Sequence, residues 1–219
     1  MLSIPICGSA AEPIAAAAEP DAEGASEIMD WQTLEKQCMA CTGCGLCRTR
    51  ANVVFGVGNR EADIMFVGEG PGEQEDLQGV PFVGPAGKLL DDMLSIIDLD
   101  RTCCYIANIV KCRPPRNRDP QEDEQDACFG YLKEQIELVR PKIIVCLGRI
   151  AAQRLIRPDF RITREHGTWF QGGQVWLTAI YHPSALLRDL SKRPETFDDL
   201  LQIRDRLAVL REIEEKEQS

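Results

Sequence analysis

The chain has 219 residues, enough for one large α/β domain or two small ones, and a hydrophobic content of 44% is ample for a buried core. No apolar run reaches the length needed to span a bilayer, and Met1-Leu2-Ser3-Ile4-Pro5-Ile6-Cys7 has no positive residue, which argues against a secretory signal. The net charge of −10 excludes a nucleic-acid partner only until it is divided by region. The first 35 residues hold seven acids and no Lys or Arg, and residues 189–219 hold nine acids against six bases, so the 35 acids and 25 bases of the chain leave 19 of each in residues 36–188.

Residues 1–30, rich in Ala, Glu and Pro without periodicity, read as a disordered acidic tail ahead of a single domain over 31–219. Met29 to Cys38 has the spacing of a short amphipathic helix leading into Cys38, Cys41, Cys44 and Cys47. Ten cysteines without a signal segment point to a reducing, cytoplasmic setting and to metal ligation rather than disulfides. Two-residue spacing lets neighbouring thiolates converge, either as four ligands from the run or as two from the run with the distant Cys112 and Cys128. Four thiolates suit zinc or an iron–sulfur cluster equally at this level. Cys103, Cys104 and Cys146 sit in or beside apolar runs and read as small core residues.

Asn52 to Gly56 reads as a brief strand or apolar loop, and Ile64 to Val67 as a buried strand that breaks at Gly68-Glu69-Gly70-Pro71-Gly72-Glu73-Gln74-Glu75-Asp76. Glycines at 68, 70 and 72 allow close approach to something flat or anionic. Four acids in the same loop oppose a phosphate, and Glu73 stands where a dinucleotide motif needs its third glycine. Pro81 to Gly84 brings an aromatic ring near the loop, and Ala86 to Ile97 predicts a helix. Cys104 to Val110 predicts a second strand, with Asn108 near its end. Three prolines in Lys111 to Pro120 rule out helix there, and Lys111, Arg113, Arg116 and Arg118 make that loop a basic patch.

Gln121 to Val139 predicts a helix with an acidic first turn. Lys142 to Gly148 predicts a third strand whose continuous apolar character suits a parallel sheet covered on both faces. A helix over Arg149 to Leu155, a fourth strand over Gln174 to Tyr181 ending at His182-Pro183-Ser184, and a charged helix over 195–217 complete the chain. The alternation predicts a three-layer α/β/α sandwich with a central, mainly parallel four-stranded sheet. Ligand sites in such sheets lie beyond the carboxyl ends of the strands, where Glu69, Asn108 and His182 all fall.

Over residues 41–188 the chain resembles the iron–sulfur uracil-DNA glycosylases, family 4 of the uracil-DNA glycosylase superfamily. The matching pieces are Cys41-x-x-Cys44, Val54-Phe55-Gly56, Gly68-Glu69-Gly70-Pro71-Gly72-x-x-Glu75-Asp76, Pro81-Phe82-Val83-Gly84, Asn108 to Arg118 and His182-Pro183-Ser184, in family order. The resemblance implies a base-excision-repair enzyme that flips uracil from single- or double-stranded DNA and hydrolyses its glycosidic bond. It implies a monomer with no membrane attachment. It also implies a 4Fe–4S cluster on Cys41, Cys44, Cys112 and Cys128 in a structural role, with Cys38 the competing ligand and Cys47 a bystander.

In this likeness Phe82 stacks on the base, Asn108 pairs with O4 and N3–H, and backbone at Glu69 and Gly70 approaches the ring. Glu75 walls the C5 edge, and His182 donates to O2 as negative charge develops there. Glu69 or Asn117 orients the water. Lys111, Arg113, Arg116 and Arg118, with Ser184 and Arg188, meet the phosphates, and Leu186 is the apolar wedge. His166 reads as surface or structural. The alternatives are a non-catalytic metal-bound DNA-binding module, opposed by the joint presence of Phe82, Asn108 and His182, and an electron-transfer protein with an exposed four-cysteine site.

Overall fold

The computed structural model describes residues 30–217; the tail expected over the first 30 residues lies, but for Asp30, outside the described residues, as do the last two positions. One sheet organises the chain, with strands β1 (Val57–Gly58), β2 (Ile64–Gly68), β3 (Tyr105–Asn108), β4 (Ile143–Leu147), β5 (Phe170–Gly172) and β6 (Val175–Ile180) in the order β1-β3-β2-β4-β6-β5. The four apolar runs of the sequence are its parallel centre: β3, β2, β4 and β6 pair side by side, and every residue of β2, β3 and β4 is buried. Short antiparallel strands, β1 on β3 and β5 on β6, close the two edges. They make the sheet six-stranded and mixed. At two and three residues they are too short to show the alternation by which a strand is recognised.

Helices α1 (Trp31–Met39), α2 (Glu73–Gln78), α3 (Pro85–Ile96), α4 (Glu122–Val139), α5 (Arg149–Leu155), α6 (Ile162–Glu165), α7 (Pro183–Arg188) and α8 (Arg193–Glu217) flank the sheet. Strand pleating sends alternate residues to opposite sides. On one side Met65 and Val67 join Leu34 of α1, Leu132 of α4 and Leu155 of α5. On the other, Ile64 and Phe66 join Leu90 and Leu94 of α3, Leu186 of α7, and Leu200, Ile203 and Leu207 of α8. The sheet is thus the middle layer of an α/β/α sandwich.

Local chemistry sets the ends. Gln121 and Glu124 form a reciprocal capping box at the start of α4, whose first turn holds Glu122, Asp123 and Glu124. Asp63 binds Lys142 at 2.5 Å and Arg211 at 2.6 Å, tying α8 to the entry of β4. Three short helical pieces depart from the expected pattern. Helix α2 occupies the second half of the glycine-rich loop, α6 precedes β5 and α7 follows His182, whereas Pro115–Asn117 is a tight turn, with Arg116 at φ 56° and Asn117 at φ 54°, in keeping with the prolines that argue against helix there. Proline is tolerated in a first helical turn, because the N–H it lacks has no partner there. Among the described residues no helix is long and apolar enough to cross a membrane.

Candidate active site and cysteine centre

Beyond the carboxyl ends of the parallel strands lies a cavity of about 470 Å³. Glu69 and Gly70 after β2, Asn108 at the end of β3 and His182 after β6 all line it, as do Glu75, Phe82, Asn117, Arg118, Ser184 and Arg188. Arg113, Arg116, Lys111 and Leu186 are not among its lining residues.

The floor is tightly built. Asn108 is 2% exposed, and its Oδ1 is buried with no hydrogen-bond partner. Gly68 pairs with it across the sheet, and a Cβ at 68 would lie 2.4 Å from Asn108 Oδ1 and 2.6 Å from Phe82 Cζ. Phe82 is held in the left-handed region at φ 54°, unusual for an aromatic residue. Arg101 donates to the carbonyls of Pro81 and Phe82, and Glu75 Oε1 accepts from Val83 N–H at 2.9 Å and Gly84 N–H at 2.8 Å. Glu75 therefore lines the cavity but commits one oxygen to fixing the Phe82 loop. The Phe82 and His182 rings lie 5.6 Å apart. A ring face beside an unpaired buried acceptor suits a flat heterocycle bearing an N–H.

His182 caps α7, and its Nδ1 accepts from Ser184 N–H at 3.1 Å, with the Ser184 hydroxyl at 2.8 Å. An accepting Nδ1 leaves the proton of the neutral ring on Nε2. Burial pulls His182 down to about 4, the Arg188 charge adds to this and Glu75 opposes it, so the imidazole is a neutral donor at neutral pH. Ser184, expected at a phosphate, commits its hydroxyl to the imidazole instead.

Glu69 is half-buried and pushed up to about 7, first by burial and then by Asp119, whose carboxyl is within hydrogen-bonding reach; Arg149 opposes the rise. Arg149 in turn binds Asp119 at 2.5 Å. Neither Asp119 nor Arg149 stands out in the sequence. The available signal is an acid, Asp119, standing between Arg118 and Pro120 in an otherwise basic loop. Asn117, at φ 54°, accepts at its Oδ1 from Arg113 Nε at 2.7 Å.

Two further expectations are corrected. Lys111 does not reach a phosphate: it is 1% exposed, with Nζ donating to the Asn108 carbonyl at 3.0 Å and to Gln135 Oε1 at 2.6 Å. Leu186 is not a wedge: it is 2% exposed within the core, because the inward phase of α7 falls on 186 and the outward phase on Leu187, which is 42% exposed. Of the other basic residues, Arg118 makes a two-pronged pair with buried Glu124 at 2.8 and 2.6 Å, and Arg113 also approaches Glu73 at 3.5 Å. Arg116 and Arg188 are exposed.

On the α1–α4 side, Cys38, Cys41, Cys44, Cys47, Cys112 and Cys128 surround a small hollow. Three sulfurs receive N–H donors: Cys112 from Arg50 at 3.1 Å, Cys128 from Lys111 N–H at 3.2 Å and Cys41 from Gly43 N–H at 3.4 Å. Such donors stabilise thiolates bound to a metal or cluster. Cys47 instead points its sulfur at the Thr42 carbonyl, 4.0 Å away. Burial pulls the Lys111 ammonium down to about 8 and pushes the Cys128 and Cys38 thiols up, while the ammonium and the two sulfurs each oppose the other's shift. The residues present therefore fit a cationic group held by thiolates. Among the described residues no three His, Cys, Asp or Glu side chains form a ready site for a single ion.

A family model described as the uracil DNA glycosylase superfamily matches residues 55–204. The chain is 48% identical over 176 residues to a type-4 uracil-DNA glycosylase of Archaeoglobus fulgidus, covering 77% of this chain and 88% of the relative. It is 42% identical over 183 residues to a type-4 uracil-DNA glycosylase of Sulfurisphaera tokodaii, covering 80% and 83%. A type-4 uracil-DNA glycosylase of Thermotoga maritima is 47% identical over 155 residues, covering 69% and 80%.

Proposed function

The chain belongs to the uracil DNA glycosylase superfamily, and we infer from that footing that it is a uracil-DNA glycosylase, a repair enzyme that hydrolyses the bond between uracil and deoxyribose. The observation that carries the assignment of the pocket is the unpaired Oδ1 of Asn108. Uracil offers an N3–H to that oxygen and an O4 to the amide nitrogen, whereas cytosine presents a bare N3 and an amino group. A buried group left unpaired by the wrong base discriminates strongly. Phe82 stacks on the everted ring, which has to leave the duplex to be reached.

As the C1′–N1 bond breaks, its electron pair leaves with the base and negative charge grows on O2. Nε2–H of neutral His182 donates there. Glu69 receives the proton of the attacking water. Arg113, Arg116 and Arg188 bind phosphates of single- or double-stranded DNA. Cys41, Cys44, Cys112 and Cys128 would hold a 4Fe–4S cluster, which when bound fixes the loop after β3 to the N-terminal segment. The protein works as a monomer in the cytoplasm, without membrane attachment.

Incubation with uracil-containing and matched thymine-containing oligonucleotides, followed by alkaline cleavage, tests this reading. Cleavage confined to the uracil strand is the expected result, and intact strands in both would refute it. A broad visible absorbance band tests the cluster, and a colourless, zinc-containing protein would refute that part.

A further inference from the structure

We propose that Asp119 and Arg149 are positioning residues that hold Glu69 as the proton acceptor of the hydrolytic step. The proposal rests on the glycosylase reading above and deepens it. All three residues line one cavity, and Arg149 anchors Asp119 at 2.5 Å while also donating to Gln153 Oε1 at 3.1 Å from within α5. The anchor fixes a carboxylate next to Glu69. Burial and the neighbouring Asp119 carboxylate together disfavour the charged form of Glu69. The Arg149 guanidinium opposes that rise, and Glu69 changes protonation near neutral pH.

Asn117, the other candidate, is a poorer acceptor because its Oδ1 is already engaged by Arg113. The remaining charged or titratable cavity residues are Glu75, Arg118, Tyr181, His182 and Arg188. Arg118 is paired with Glu124, and Glu75 is bound to the Phe82 loop. His182 is neutral in this range, and burial raises the Tyr181 phenol above its ordinary value, so it too stays neutral. In the step, the water oxygen bonds to C1′ as the C1′–N1 bond breaks. The bonding pair departs with uracil, and the water proton passes to Glu69.

The test is the single-turnover rate of uracil release against pH for the wild type, Asp119→Asn, Arg149→Gln and Asp119→Glu. Removing the neighbouring negative charge should move the acid limb to lower pH, and removing the guanidinium should move it to higher pH. A shift of one pH unit reads as a roughly tenfold change, relative to each plateau, well below the limb. Asp119→Glu should keep the limb near that of the wild type. Limbs that stay in place while plateaus fall, or that move in the same direction in both charge-removing variants, would overturn the proposal. Thermal melts identify a variant that fails to fold, in which case the other charge-removing variant carries the test. An inactive wild type would overturn the glycosylase reading itself, whereas an active wild type with unmoved limbs in the variants overturns only this inference.

Discussion

Replacing Gly68 with alanine tests the floor of the cavity. The added methyl would sit 2.4 Å from Asn108 Oδ1 and 2.6 Å from Phe82 Cζ, both closer than side-chain carbons are found in proteins. Asn108 and Phe82 both line the cavity, so the methyl would drive the amide and the ring into it. Overpacking of this kind destabilises by about 1–3 kcal/mol, or several degrees of melting temperature for a domain of this size. The larger effect is on chemistry: displacing a positioning group by about 1 Å lowers a rate by roughly 10²-fold. A single-turnover assay with enzyme in excess separates this loss from product release, and a thermal melt reads the change in stability. Wild-type rate with an unchanged melting temperature would refute the tight contact of Gly68, Asn108 and Phe82.

Acid should destabilise the protein through His182. Its folded value of about 4 lies below the ordinary 6.5, so the unfolded chain binds the extra proton first. Stability is therefore lost as pH falls from about 6.5 to about 4, by at most about 3 kcal/mol, and denaturant melts of His182→Gln should lose that part of the slope. Cys128→Ser should abolish the visible absorbance band and the bound iron, whereas Cys47→Ser should retain both; equal loss in the two would place Cys47 in the ligand set. Arg116→Ala should weaken DNA binding and reduce the slope of log affinity against log salt by about 0.9, and an unchanged slope would show that Arg116 meets no phosphate.

The parallel centre is legible in the sequence because four apolar runs are each bounded by glycine, proline or charge, and strand ends in such a sheet converge. That alone brings Glu69, Asn108 and His182 together. What the sequence hides depends on side-chain direction. Lys111 looks like part of a surface patch, yet it follows β3 closely enough that its side chain turns back to the Asn108 carbonyl. Leu186 and Leu187 are adjacent leucines, and without the helix at Pro183–Arg188 nothing sets which one faces inward. Asp119 is hidden because its importance comes from Glu69, fifty residues earlier, and Arg149, thirty later.

Lys111 also joins two compartments that the sequence separates. Its main-chain N–H points to the Cys128 sulfur, while its ammonium holds the carbonyl of Asn108. One residue is thus a rivet through both the thiol centre and the base-reading floor. A shift at the Cys128 sulfur would pull on the main chain of Lys111 and so be carried to the Asn108 carbonyl at the floor of the cavity.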